Sequence, residues 1–213
     1  DERINHIQAT LKHNLCTLKS KTKIISLNGT TFDEICSDIL MIGIAVNKEE
    51  TAKKIIAEAK LKKKLVTRKR TNKTVLLLEW IDPYFTPGHW IPEQIEMAGF
   101  LSCIGNKGEK SIEITPKDIA DLNPDFIGII CCGYNLEENK SFAENIYLDE
   151  RINHIEAIQK QRVYAFDSNS YFSRPSLRVL DGVIQLSNAI SDTNPKFHCK
   201  KSDFINNRKL SSC

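Results

Sequence analysis

Apolar and polar positions along this chain change period several times, and each change marks an element. Val75-Leu76-Leu77-Leu78 is a continuous apolar run of strand length, the pattern of a strand buried on both faces. Phe126–Cys131 and Val163–Asp167 repeat it, and Lys23–Leu27 is a shorter run closed by the Asn28-Gly29 turn. Elsewhere the period is helical. Thr31-Phe32-Asp33-Glu34 fits a capping box, followed by Ile35, Ile39, Ile42 and Val46 at helical spacing. Asn47 with Glu50 is a second capping signal, and from Lys48 to Arg70 neither Gly nor Pro intervenes. With Ala52, Ile55, Ile56 and Ala59 on one face, that run predicts a single helix of 23 residues, about 35 Å long. Trp90–Ala98, a helix capped by Thr115 with Pro116 at its first position, Leu136–Gln161 and Pro175–Ser191 complete the helical set. Strands alternating with helices predict an α/β fold with parallel sheets and right-handed crossovers.

One long helix among short elements reads as a strut joining two lobes. The expected division is a partial amino-terminal lobe (residues 1–47), the interlobe helix (48–72), a carboxy-terminal α/β lobe (73–191) and a polar, disordered tail (192–213). Only one strand precedes the strut. The first lobe is therefore expected to be incomplete and to expose apolar surface, because an isolated strand cannot satisfy its edges. A heptapeptide, Asp1-Glu2-Arg3-Ile4-Asn5-His6-Ile7, recurs as Asp149–Ile155, and the sequences then diverge, so no solenoid repeat follows from it.

Net charge is +3, too small to argue for nucleic acid, although Lys60, Lys62, Lys63, Lys64, Arg68, Lys69 and Arg70 cluster. Such a run at a helix end reads as a solvated face complementing the helix dipole, and no aromatic residues interleave with it. No apolar stretch reaches membrane-span length, so direct membrane insertion is not expected. Asp1-Glu2-Arg3-Ile4 does not resemble a leader peptide. The seven cysteines follow no metal-ligand spacing and are read as reduced, small core residues, with Cys213 in the tail. A monomer without a bound cofactor is the expected state.

The densest chemistry lies directly after the first long apolar run. Trp80, Tyr84, Phe85, Thr86, Gly88, His89 and Trp90 stand in one loop with Pro83 and Pro87. Loops at the carboxyl ends of strands are where α/β sheets bind ligands, and prolines limit the entropy lost in holding them. Such a concentration of Trp and Tyr points to a ligand wall rather than a core. Together with Asn123-Pro124-Asp125-Phe126 through Gly133-Tyr134-Asn135-Leu136, and Val163-Tyr164-Ala165-Phe166-Asp167 through Tyr171-Phe172-Ser173-Arg174-Pro175, this loop resembles the class III substrate-binding proteins of ABC transporters. The resemblance is to the cobalamin and iron-siderophore group, most of all its cobalamin-binding branch, and covers roughly residues 22–191.

That resemblance implies a cleft between two lobes, holding cobalamin, a related corrinoid or an iron chelate, without catalysis. The wall on this lobe would comprise Trp80, Tyr84, Phe85, Thr86, His89 and Trp90, joined by Tyr134, Tyr171, Phe172 and Arg174. Flat aromatic faces suit a corrin, and Arg174 would meet a phosphate or carboxylate or else form a surface ion pair. His89, with no second ligand at metal spacing, is expected to cap or hydrogen-bond. Gly88 and Gly133 serve tight turns. The resemblance also implies a transporter membrane subunit as partner, met through an acid such as Glu113 or Asp118, and an exported protein, which the reduced cysteines do not favour. The compartment therefore stays open. Two departures stand out: the chain opens in the middle of the family's first lobe, and Leu101–Glu113 is short. Two alternatives remain, a degenerate fold without ligand and an α/β enzyme using Glu79, Asp82 or Asp167 at strand ends. Against the enzyme, no phosphate loop, nucleophile elbow or compact His/carboxylate cluster is present.

Overall fold

The computed structural model describes residues 24–191 and 195–204. Two helices come first, α1 (Phe32–Ala45) and α2 (Glu49–Val66). The sheet-bearing part then runs β1 (Thr74–Leu78), β2 (Trp80–Ile81), β3 (Tyr84–Phe85), α3 (Ile91–Met97), β4 (Leu101–Ser102), β5 (Glu113–Ile114) and α4 (Pro116–Leu122). It continues with β6 (Phe126–Ile129), α5 (Leu136–Leu148), α6 (Glu156–Gln159), β7 (Val163–Ala165), α7 (Ser168–Tyr171) and α8 (Val179–Ile190), and closes on a 3-10 turn, Pro195–Phe197.

The main sheet is parallel throughout, in the order β4-β1-β6-β7. Val75 pairs with Phe126 and Leu78 with Ile129, while Ile127 pairs with Val163. Leu76, Leu77, Leu78, Ile127 and Ile129 are wholly buried, as continuous apolar runs require. With this strand order, the right-handed rule for parallel crossovers assigns α3 to one face and α4, α5 and α6 to the other. The chain leaves β1 in one direction to reach β4 and returns to add β6 on β1's other side. The gap at the carboxyl ends of β1 and β6 is therefore the switch point of the sheet, where such folds bind ligands. A small antiparallel sheet, β2-β3-β5, is built beside it.

Helix α2 is unbroken but shorter than the expected 48–70 run. It stops at Val66 because Thr67 turns extended, its hydroxyl donates to the Lys63 carbonyl, and the Arg68 amide donates to Met97 instead of continuing the helix. α2 lies against the α/β body through Ala59 and Val66, with Lys62 paired to Asp181 of α8. Helix α1 is capped by Thr31, whose hydroxyl accepts from the Glu34 amide, while the Glu34 carboxylate reaches Thr30. Its first turn is fixed by Glu93 of α3. That carboxylate accepts from the Phe32 amide at 2.9 Å, from Lys63 at 2.8 Å and from Lys107 at 2.9 Å.

Three expectations need correction. Residues 24–27 form no strand, so Lys23–Leu27 supplies none among the described residues; Lys23 itself lies outside them. The predicted helix Leu136–Gln161 is two helices, because Asp149 ends the first with extended backbone. Its carboxylate accepts the Tyr84 hydroxyl at 2.7 Å, the Arg151 amide at 3.0 Å and the Arg151 guanidinium at 2.8 Å. The second heptapeptide copy is therefore a turn that ties α5 to β3, with Ile152 and Ile155 buried beneath it. The first copy, residues 1–7, lies outside the described residues. Finally, part of the 192–213 tail is packed: Cys199 donates to the Val163 carbonyl, Tyr147 to the Cys199 carbonyl, and Phe197 stacks on Phe166.

The Arg151 guanidinium, with the Tyr84 hydroxyl, holds the Asp149 carboxyl down from 3.8 to about 2 against the opposing effect of burial. A carboxyl depressed in the folded state stabilises above its unfolded pKa and loses that contribution as pH falls through the folded value. Asp149→Asn is thus expected to cost about 2 kcal/mol at neutral pH and to flatten the acid loss of stability between pH ~4 and ~2; chemical denaturation across that range measures it. Beyond Ile39, α1 turns apolar side chains to solvent, Ile44 being 48% and Val46 58% exposed. Amides of residues 40–46 are expected to exchange faster than those of β1 and β6, and equal protection would contradict this.

Candidate functional site

Three loops leave the carboxyl ends of β1, β6 and β7 side by side, and their own polar groups fix them. The Glu79 carboxylate accepts from the Gly88 amide at 2.9 Å, closing the β2–β3 hairpin onto the end of β1. Burial pushes this carboxyl above the usual range, opposed by its bonds to Gly88 and Ser111 and by His89. Gly88 has no room for a side chain, since a Cβ would lie 2.3 Å from the Ser111 nitrogen. Close approach, not a turn angle, requires glycine there. Gly133 is the reverse: its surroundings are open and its φ of +86° is the reason.

The β6 and β7 loops share more bonds. Ser168 donates to the Ile130 carbonyl and touches the Ser173 hydroxyl at 2.8 Å, and that hydroxyl accepts the Gly133 amide. Beneath them Asn139 of α5, wholly buried, accepts from the Cys131 amide and donates to the Tyr134 and Phe166 carbonyls. These bonds make the loop platform rigid without sheet pairing.

Two neighbouring depressions open on the platform. One, of about 240 Å³, lies among Glu79, His89, Trp90, Cys132, Ser168 and Ser173. The other, of about 170 Å³, is aromatic: Trp80 and Tyr134 have ring centres 5.9 Å apart, and Phe142 meets Tyr134 edge-on at 5.0 Å. They share no lining residue: Glu79 and Cys132 line the first, and their chain neighbours Trp80 and Cys131 the second. The second offers apolar ring faces, the first a polar hollow of carboxyl, imidazole, thiol and hydroxyl groups.

The expected wall residues divide in this geometry. Trp80, 38% exposed with its indole donating to the Asp82 carbonyl, and the half-buried Tyr134 face the aromatic depression. His89, Trp90 and Phe172 line the other, the two larger rings mostly buried. Trp90 opens α3, with its indole donating to the Phe172 carbonyl at 2.8 Å. Tyr84 and Thr86 are buried and structural, the first bonded to Asp149, the second accepting from the Ile112 amide. Phe85 is half-buried in the hairpin ladder opposite Trp80 and Glu113. Tyr171 is half-buried against the core, and Arg174 is exposed and bonded to Asn169 at 3.3 Å rather than to an acid. His89 uses its backbone, at a φ of +55°, to bond Glu109 and Gly108, whereas its Nδ1 is buried without a partner.

Cys132, Ser168 and Ser173 belong to this platform although the sequence drew no attention to them as site residues. Cys132 is exposed, a correction to its reading as a core residue, while Cys36, Cys131 and Cys199 are buried and burial raises their thiol pKa values. Of the strand-end acids, Asp167 is engaged in capping α7 and Glu79 in closing the hairpin, leaving Asp82 exposed. Among the described residues no group of three or more His, Cys, Asp or Glu side chains is placed to hold a metal ion.

Comparison with known proteins agrees with this architecture. No curated protein matches the sequence. Among solved structures, an ABC transporter substrate-binding protein from Listeria monocytogenes EGD-e superposes with a TM-score of 0.74 at 19% identity, over 88% of this chain and 73% of that one. The periplasmic vitamin B12 binding protein BtuF of Vibrio cholerae gives 0.62 at 15% identity, over 88% and 69%. S. aureus IsdE complexed with heme gives 0.67 at 16%, over 86% and 73%. At such identities the likeness is one of fold. The sequence itself decides the family: the model of the periplasmic binding protein family matches residues 11–170, and the chain belongs to that family.

Proposed function

We propose that this chain is the ligand-binding component of an ABC transporter for cobalamin, a related corrinoid or an iron chelate, and that it performs no chemistry. The observation that carries the reading is the pair of separate depressions among the loops after β1, β6 and β7, one bearing the Trp80–Tyr134 ring faces and the other the polar groups of Glu79, His89 and Ser173. Neither hollow alone reaches the roughly 300 Å³ at which ligand pockets begin, so together they would act as one wall of a larger cleft. Solved relatives of this fold include proteins described as binding vitamin B12 and heme, both flat metal macrocycles. Rings stacked on such a ligand would supply affinity, and a rigid platform would limit the ordering cost of binding. A transporter membrane subunit would be the macromolecular partner. Of the two acids considered for that contact, Asp118 is engaged in the α4 capping box with Thr115, which leaves exposed Glu113 the freer one.

Trp80 is the residue on which to test this. Quenching of tryptophan fluorescence during titration with cobalamin reports on the aromatic depression. Trp80→Ala is expected to weaken binding by about 2 kcal/mol, roughly thirtyfold, in a protein that still folds. A folded Trp80→Ala protein with unchanged affinity would remove the aromatic depression from the site.

A further inference from the structure

We propose that the outward face of α2, with the segment immediately after it, is a docking surface for an anionic lipid bilayer. Between Lys53 and Lys73 the chain holds ten cations and one acid, Glu58. The fold uses a few of these: Lys53 pairs with Glu49 and Glu50, Lys62 with Asp181, Lys63 with Glu93 and Lys73 with Asp125. Lys60, Lys64, Arg68, Lys69 and Arg70 are exposed and make no ion pair among the described residues. They are held facing outward. Ala59 and Val66 anchor the inner face of the helix, and the Arg68 and Thr71 amides pin the following segment to Met97 and Gly99.

In the middle of these cations stand two leucines one helical turn apart, Leu61 at 61% and Leu65 at 78% exposure. A solvated basic face needs no such ridge. Leucines flanked by lysines, on a helix too polar and too short to cross a membrane, are the make-up of a surface that lies in the headgroup region. Charge complementarity selects the anionic leaflet, where each Lys or Arg is worth roughly fivefold in affinity. A nucleic acid would satisfy the cations and leave the leucines unused, and no aromatic side chain stands among them for base stacking.

The test is co-sedimentation of the full chain with phosphatidylcholine vesicles, with and without about 30% phosphatidylserine. Binding is expected only to the anionic vesicles and is expected to fall as salt shortens the Debye length. The triple variant Lys60→Glu, Lys64→Glu, Arg68→Glu should bind on the order of a hundredfold more weakly. The double variant Leu61→Ser, Leu65→Ser should lose about tenfold and keep the salt dependence. All five side chains are exposed, and unchanged melting confirms that each variant is folded. The proposal is overturned if the intact chain ignores anionic vesicles, if both variants bind as the intact chain does, or if the chain prefers duplex DNA at equal salt and leaves the vesicles.

Discussion

Replacing Asn139 by Leu is expected to destabilise the protein by about 4 kcal/mol, lowering its melting temperature by roughly 10 °C. Asn139 is wholly buried and serves three backbone groups: the Cys131 amide at 2.9 Å, the Tyr134 carbonyl at 3.2 Å and the Phe166 carbonyl at 2.9 Å. Leucine fills a similar volume but satisfies none of them; the Tyr134 carbonyl keeps the Asn169 amide, while the Cys131 amide and the Phe166 carbonyl are left unpaired, at about 1–3 kcal/mol each. The damage should also reach binding, because these groups fix the loops after β6 and β7. Denaturant unfolding measures the first effect. A change below about 1 kcal/mol would mean that water or a loop shift replaces Asn139, and that the platform is not rigid as described.

The second large effect is expected at Glu93, where Glu93→Gln should cost about 3 kcal/mol. Its carboxylate is 6% exposed and takes three donors: the Phe32 amide, Lys63 and Lys107. A glutamine keeps one acceptor oxygen and cannot serve them all. Burial alone would raise this carboxyl, but the bonds from Lys63, Phe32 and Lys107 outweigh it and hold the group below the ordinary range. Folding therefore gains from the ionised form above the unfolded carboxylate pKa, and that gain is lost as pH falls through the lower folded value. Glu93→Gln should remove part of the wild-type loss in acid. It should also speed amide exchange over the first turn of α1, since Phe32 is the residue the carboxylate fixes. Unchanged exchange there would show that α1 is held by its apolar contacts alone.

These two positions also show where reading the sequence stops. The strands β1, β6 and β7 were legible because strands buried on both faces must be continuous apolar runs. Helix starts were legible at Thr31 and Thr115, each of which accepts from the amide three residues on; Asn47, read as a cap, is not one, since Lys48 holds that position without a side-chain bond, and the Asn135 capping box was missed. What was missed depends on distant partners. Asp149 breaks a helical pattern because Tyr84, remote in sequence, donates to it. Val66 ends α2 because Met97 offers the Arg68 amide a carbonyl, and Cys199 is drawn onto the sheet edge by Val163.

Of the candidate site, Trp80 and Tyr134, which line the aromatic depression, stand out in the sequence as aromatics after strands. Tyr84 and Thr86 stood in the same loop, yet the pairing of β2, β3 and β5 turns them inward. Asn139 on a charged helix, and Ser168 and Ser173 in an aromatic-rich loop, carry no local mark of their roles. Only the convergence of three loops gives them one. Cys131 is buried and Cys132 exposed, and nothing in two adjacent identical residues tells the sequence reader which is which.

The measurement that bears most directly on the account is an ultraviolet-visible titration of the intact chain with cobalamin, run beside hemin and a ferric siderophore. A saturable change in the absorbance of at least one of these chromophores is expected, at one ligand per chain, weakened by Trp80→Ala. If none of the three binds even weakly to the folded chain, the ligand-binding reading is contradicted, and the platform at the switch point is a preserved fold without a ligand.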